Sequence, residues 1–193
     1  MKLSHKISEH FNEHLEVIAK LPALCSVSIK IAGMQIAESL AKGGTILWCG
    51  NGGSAADSQH LAAEFVGRFK KDRKALRSIA LTTDTSVLTC IANDYSYEDI
   101  FSRQLEALAR TGDVLIVIST SGNSENILRA LKTAKELGVK TIALLGKDGG
   151  LAEAHADLAI VIPSVSTARI QEAHILIGHI LCDLIEQELG LVS

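Results

Sequence analysis

The sequence predicts an α/β fold: a three-layer, five-stranded parallel sheet flanked by helices, with a helical N-terminal segment. Three observations lead there. Five short apolar runs, at 45–49, 78–81, 114–118, 141–145 and 158–162, have the unbroken character of strands buried on both faces. Helical stretches separate most of them, the alternation expected of a parallel sheet with helices on each side. Two of the runs lead into glycine- and serine-rich turns. The length of 193 residues suits one domain, 1–193, and no linker, repeat or low-complexity tract divides it.

The elements follow in order. Between Ile7 and Ala19 the apolar residues at 7, 11, 15 and 18 form a helical stripe. Leu21-Pro22 interrupts it, and Ser26 to Ala41 resumes a helical pattern through Ile31, Met34, Ile36 and Leu40. Gly43-Gly44 ends that helix. Further helices are expected over about 55–69, 86–108, 124–137 and 168–189. Pro22 and Pro163 both fall at element ends, where a missing N–H is tolerated.

Composition narrows the function. With 47% hydrophobic and 21% charged residues the chain is an ordinary globular protein, neither a disordered tail nor a collagen-like fibre. Nineteen Lys+Arg against 22 Asp+Glu leave a net charge of -3, which argues against nucleic acid as a partner. A small anion remains open, because local loops hold one without net positive charge. The four cysteines, Cys25, Cys49, Cys90 and Cys182, form no CxxC pair and read as buried thiols of a reducing compartment. Residues 1–10 lead into no signal-like apolar run, and no stretch nears the roughly 20 apolar residues of a membrane helix. A cytoplasmic protein is expected, with no membrane partner.

Beyond the carboxyl ends of parallel strands is where ligands sit in such sheets, so the strand-to-helix loops carry the interest. Cys49-Gly-Asn-Gly-Gly-Ser54 and Ser119-Thr-Ser-Gly-Asn-Ser124 each follow an apolar run and open a helix. Free N–H groups at a helix start attract an anion, and the Ser and Thr hydroxyls add donors. Neither loop matches GxxxxGK[ST] or GxGxxG, so a sugar phosphate suits them better than a nucleotide. The bland alternative is a pair of helix caps.

Three further constellations stand out. His60 and Glu64, four residues apart, share one helix face and could hold a divalent metal or pass a proton between them; a surface ion pair is the plainer reading. Gln171, Glu172, His174 and His179 interrupt an otherwise apolar helix and need partners if buried. Gln171 and His179 lie roughly 12 Å apart along that helix, so spacing alone pairs Gln171 with His174. The segment Ile91-Ala-Asn-Asp-Tyr95 follows the second strand, and Asn93-Asp94 either cap a helix over 98–108 or reach ligand hydroxyls.

Taken together, the segments CGNGGSAADSQHLAAEF, LTTDTSVLTCIANDYSYEDIFSRQ, GDVLIVISTSGNS and ARIQEAHILIGHILCDLIE resemble the phosphoheptose isomerase family of the sugar-isomerase (SIS) superfamily, from about residue 43 to 189. The resemblance implies a flavodoxin-like SIS fold assembled as a homotetramer, with residues 1–42 used in oligomer packing. It implies conversion of sedoheptulose 7-phosphate to D-glycero-D-manno-heptose 7-phosphate, the opening step of the ADP-heptose route to lipopolysaccharide core. One zinc ion per subunit is implied, with ligands falling on His60, Glu64, Gln171 and His179, overriding the spacing preference for His174. Substrate contacts fall on Asn51, Gly52, Gly53, Glu64, Asn93, Asp94, Ser119, Thr120, Ser121, Ser124 and Gln171. Similar enzymes use the counterparts of Glu64 as base and His179 as acid/base through an enediol.

Two other readings compete. The same superfamily includes a non-enzymatic tetramer that binds the replication initiator, in which the Glu and the last His of the metal set are replaced; Glu64 and His179 are both present here. A different sugar-phosphate isomerase is the second.

Overall fold

The computed structural model describes residues 2–192. Two helices, α1 (Lys2–Ile18) and α2 (Leu21–Ala41), meet at a 54° bend and precede the sheet. The chain then alternates: β1 (Ile46–Gly50), α3 (Gly53–Val66), β2 (Ser78–Ala80), α4 (Thr85–Asp94), α5 (Ser102–Leu108), β3 (Val114–Ser119), α6 (Glu125–Glu136), β4 (Lys140–Gly146), α7 (Gly150–His155), β5 (Leu158–Ile162) and α8 (Thr167–Glu188). The five strands are all parallel, in the order β2-β1-β3-β4-β5.

Side chains of successive strand residues point to opposite faces, so each strand feeds two cores. Ile46, Trp48, Ile116, Ile118, Ile142 and Leu144 pack with α2, α3 and α8. Leu47, Cys49, Leu115, Val117, Ala143 and Leu145 pack with α5, α6 and α7. The full burial of β1 and β3 on both faces explains their unbroken apolar sequences. Trp48 keeps its polar end satisfied by donating Nε1–H to Ser78 Oγ at 2.9 Å.

Helices α3 and α8 lie against each other on the first face. The contact is close because Gly178 has no side chain: a Cβ there would sit 2.5 Å from both terminal methyls of the fully buried Leu61. The residues next to this contact in sequence are His60 and His179.

Several expectations need correction. The helix expected over 86–108 is two helices, α4 and α5, separated by a 3-10 turn at Tyr97–Asp99. The break is held by polar bonds: Asp99 accepts from Ser96 Oγ and from Arg129 Nη1, both at 2.7 Å. Asn93 and Asp94 therefore cap nothing; they are the last residues of α4, whose N-cap is Asp84, accepting from Val87 N–H at 3.0 Å. The six-residue α7 was not anticipated, being too short to show a period. The apolar stripe of α1 faces outward: Ile7, Phe11 and Leu15 are all exposed. Cys25, Cys49 and Cys182 are buried free thiols as expected, and burial pushes the Cys49 thiol up, but Cys90 is exposed. No single helix among the described residues is long and apolar enough to cross a membrane.

Candidate active site

Strand order reverses between β1 and β3, which makes the gap beyond their carboxyl ends the topological switch point. The two loops singled out in the sequence occupy it. Gly52 is the N-cap of α3 with φ +56°, a backbone conformation that favours glycine, and no side chain caps that helix start. Ser124 is the N-cap of α6 and likewise spends no hydroxyl on the cap. No side chain occupies either helix start, the usual setting for an anion, although Ser54 and Ala55 N–H already donate to the Asn51 and Gly52 carbonyls.

The two loops are tied together. Asn51 and Asn126 exchange reciprocal amide hydrogen bonds of 2.9 and 2.8 Å, and Tyr97 donates its hydroxyl to Asn51 Oδ1 at 3.0 Å. The Asn51 side chain is therefore a brace, and a ligand there would meet the surrounding backbone. A cleft of about 340 Å³ adjoins, lined by Gly50, Asn51, Gly52, Thr82, Thr89 and Tyr97. Within the second loop, Ser119 Oγ is buried and accepts from Gly122 N–H at 3.1 Å, fixing the turn. Ser121 Oγ accepts from Asn123 N–H at 3.3 Å, while Thr120, Ser121 and Ser124 are half-buried.

Asn93 and Asp94 stand apart. Both are exposed at the end of α4, where Asn93 donates to Asp94 at 2.8 Å. Asp94 lines a separate groove at the β2 edge with Asp84, Tyr95 and Arg103. Within one chain these two residues do not line the cleft at the first loop.

The His60–Glu64 pair meets His179. His60 Nε2 lies 3.0 Å from His179 Nε2 and 3.3 Å from Glu64 Oε1. One ligand atom from each of the three residues falls within 4.8 Å of the others. The edge of a tetrahedron with bonds of about 2.0–2.1 Å is about 3.3–3.4 Å, so the spacing and the N/N/O donor set fit a zinc ion. The Phe69 ring stacks on His179, centroids 5.4 Å apart and planes 22° from parallel, which holds the imidazole in place. Glu64 is mostly shielded by its neighbours, while His60 is half open to solvent.

The amide of Gln171 packs on Gly53, at the start of α3. Seven residues of helix, a rise of about 10 Å, separate Gly53 from His60. In this arrangement the Gln171 amide borders the first loop. His174, which spacing favoured, is fully buried; its Nε2–H donates to the Leu145 carbonyl at 2.9 Å. Burial pushes its pKa down to about 4, so it is a neutral core histidine.

Asp57 was missed in the sequence. It precedes His60 by three residues on α3, and its Oδ2 is buried without a hydrogen-bond partner. Burial raises its pKa, and the neighbouring His60 acts in the opposite direction. The D-x-x-H-x-x-x-E spacing, which puts all three on one helix face, is the signal that could have found it.

Comparison with known proteins places the fold. The SIS-domain family matches residues 9–146. A phosphoheptose isomerase of Nitratiruptor sp. is 55% identical over 181 residues, 94% of this chain and 97% of that one. One from Clostridium acetobutylicum is 64% identical over 147 residues, 76% of this chain and 75% of the relative. The solved phosphoheptose isomerase of Neisseria gonorrhoeae has a TM-score of 0.92 at 44% identity, covering 96% of this chain and 99% of that one. That of Francisella tularensis reaches 0.94 at 37%, covering 97% and 100%. With this fold and this degree of similarity, the chain belongs to the phosphoheptose isomerase family of SIS-domain proteins.

Proposed function

We propose that this chain is an aldose–ketose isomerase that converts sedoheptulose 7-phosphate to D-glycero-D-manno-heptose 7-phosphate, opening the route to ADP-heptose. The observation that carries the reading is the gathering of His60, Glu64 and His179 on the helix pair beside two loops that present helix N-termini at the switch point. A phosphate held at the Ser119–Ser124 loop fixes one end of the sugar, so that the other end is presented to the cluster. Glu64 takes the proton from the carbon beside the carbonyl, and His179 moves a proton between O1 and O2. His60, Glu64 and His179 hold a zinc ion, with Gln171 as the fourth group. When bound, the ion supplies Lewis-acid polarisation of the substrate oxygens. The shielding of Glu64 and the Phe69 stack on His179 suit both groups to proton transfer at fixed positions.

The working form we propose is a cytoplasmic homotetramer, with one zinc ion per subunit and neither nucleic acid nor membrane as a partner. Supporting this, the exposed α1 stripe continues in exposed Leu24, Val27 and Met34 of α2. A groove of about 620 Å³ lined by Ile29, Met34, Ile180 and Leu184 lies between α2 and α8. Apolar surface of this extent needs a covering partner, and a second copy supplies one. The deciding assay is turnover of sedoheptulose 7-phosphate by purified protein with and without added zinc. Product formed in either condition supports the reading, and none in both overturns it.

A further inference from the structure

We infer that Arg73 is a positioning residue for the Glu64–His179 pair, acting through a buried ion pair with Glu186; the catalytic half of this inference rests on the isomerase reading above. Arg73 lies in the segment between α3 and β2, far from any motif that the sequence offers. Its side chain is 2% exposed and that of Glu186 1%, with Nε donating to Oε1 at 2.7 Å. The guanidinium also closes the end of α3. Nη2 donates to the carbonyl of Glu64 at 2.7 Å, and Nη1 to those of Phe65 at 2.8 Å, Gly67 at 2.9 Å and Lys74 at 3.1 Å. The last four carbonyls of a helix have no partner within it, and here one planar fork collects two of them, Glu64's own among them.

The other end of the clamp is α8. Glu186 follows His179 by seven residues, two helical turns, on the same face. Its Oε1 also accepts from the backbone N–H of Phe69 at 3.3 Å, and the Phe69 ring is the one stacked on His179. A single carboxylate thus ties the arginine, the phenylalanine and the histidine helix together.

Stability alone does not account for this arrangement. A buried ion pair is seldom more stabilising than apolar residues of similar size, and Glu186 Oε2 is buried with no hydrogen-bond partner. What apolar residues could not supply is a directional grip on the Glu64 backbone. A misplacement of about 1 Å between reacting groups can cost a hundredfold in rate, which makes that grip consequential.

The test compares the wild type with Arg73→Lys, and with the double variant Arg73→Met plus Glu186→Leu, which leaves no charge buried and keeps the question open if a single variant fails to fold. Three quantities are measured: the melting temperature, the affinity for Zn²⁺, and kcat and KM for sedoheptulose 7-phosphate. A clamp that positions the site predicts a double variant that melts near the wild type, with zinc affinity and kcat each at least about tenfold lower and KM within about threefold. Arg73→Lys keeps the charge without the fork and recovers less than half of the lost kcat. A double variant with zinc affinity and kcat within threefold of wild type overturns the inference, as does one whose losses vanish at temperatures where both proteins are fully folded. Wild type that binds zinc without turning over the sugar defeats the isomerase reading alone, and the zinc affinities then decide the clamp. Wild type that does neither overturns both.

Discussion

His60 Nε2 and His179 Nε2 stand 3.0 Å apart although 119 positions separate them in the chain. Their meeting follows from the packing of Leu61 on Gly178 one residue away, which lets α3 and α8 approach closely enough for the two imidazoles to share a hydrogen. Glu64, one turn along α3, completes the group.

Replacing Glu64 by Gln or His179 by Gln should lower kcat by about 10²–10⁴-fold, the usual worth of a positioned acid or base. Both side chains are at the edge of the core, so the melting temperature should stay within a few degrees of wild type. Steady-state kinetics together with thermal melts check this. Activity within threefold of wild type in either variant removes that residue from the chemistry.

The Gln171 amide packs on Gly53 at the start of α3. His60→Ala should weaken Zn²⁺ binding at least about 10²-fold, as expected for loss of one direct ligand from a small set. Gln171→Ala, which removes the proposed fourth group, should weaken it at least about tenfold and raise KM as well, because the amide also borders the first loop. Chelator competition gives both affinities. Unchanged Zn²⁺ affinity in Gln171→Ala would remove Gln171 from the ligand set.

The core histidine makes stability depend on pH. His174 has its pKa depressed to about 4 against an ordinary value of 6.5, because burial disfavours the charged ring. The unfolded chain therefore binds the proton first on acidification. The contribution is fully present above pH 6.5, fades as pH falls, and is gone below about 4, amounting at most to about 3 kcal/mol. His174→Gln keeps a donor for the Leu145 carbonyl without a titrating ring. Denaturant midpoints taken between pH 7 and 4 should fall more steeply for wild type than for this variant. Parallel curves would show that His174 carries no such linkage.

Charge placed on the exposed helical stripe should break the proposed assembly. Phe11→Glu and Val27→Glu each put a carboxylate into surface that is now apolar and exposed in the single chain. Sedimentation should show a species of smaller mass than wild type for at least one of them. Unchanged mass in both would remove this stripe from the interface.

Much of the architecture was legible because its signals are local. Strands buried on both faces give unbroken apolar runs, and loops at helix starts need glycine and small hydroxyl residues, so β1, β3 and the turns after them stand out in the sequence. The break between α4 and α5 was only half legible: a helix over 98–108 was one reading beside a continuous one, and part of what holds the break is a bond to Asp99 from Arg129, on a helix distant in sequence. The choice between His174 and His179 was decided by which face of α8 meets α3, and a spacing count along one helix does not contain that information. Arg73 and Glu186 belong to no motif, and nothing local marks them for burial. Only the return of the segment after α3 across its own C-terminus brings them inside.

The doubly bonded Asn51–Asn126 bridge makes the two cradles a single rigid jaw. A guest that bridges them finds a preset gauge rather than a hand that closes to fit. Losing either carboxamide would free the turn after β1 from the start of α6, so one pair of side chains sets how far apart the two loops stand.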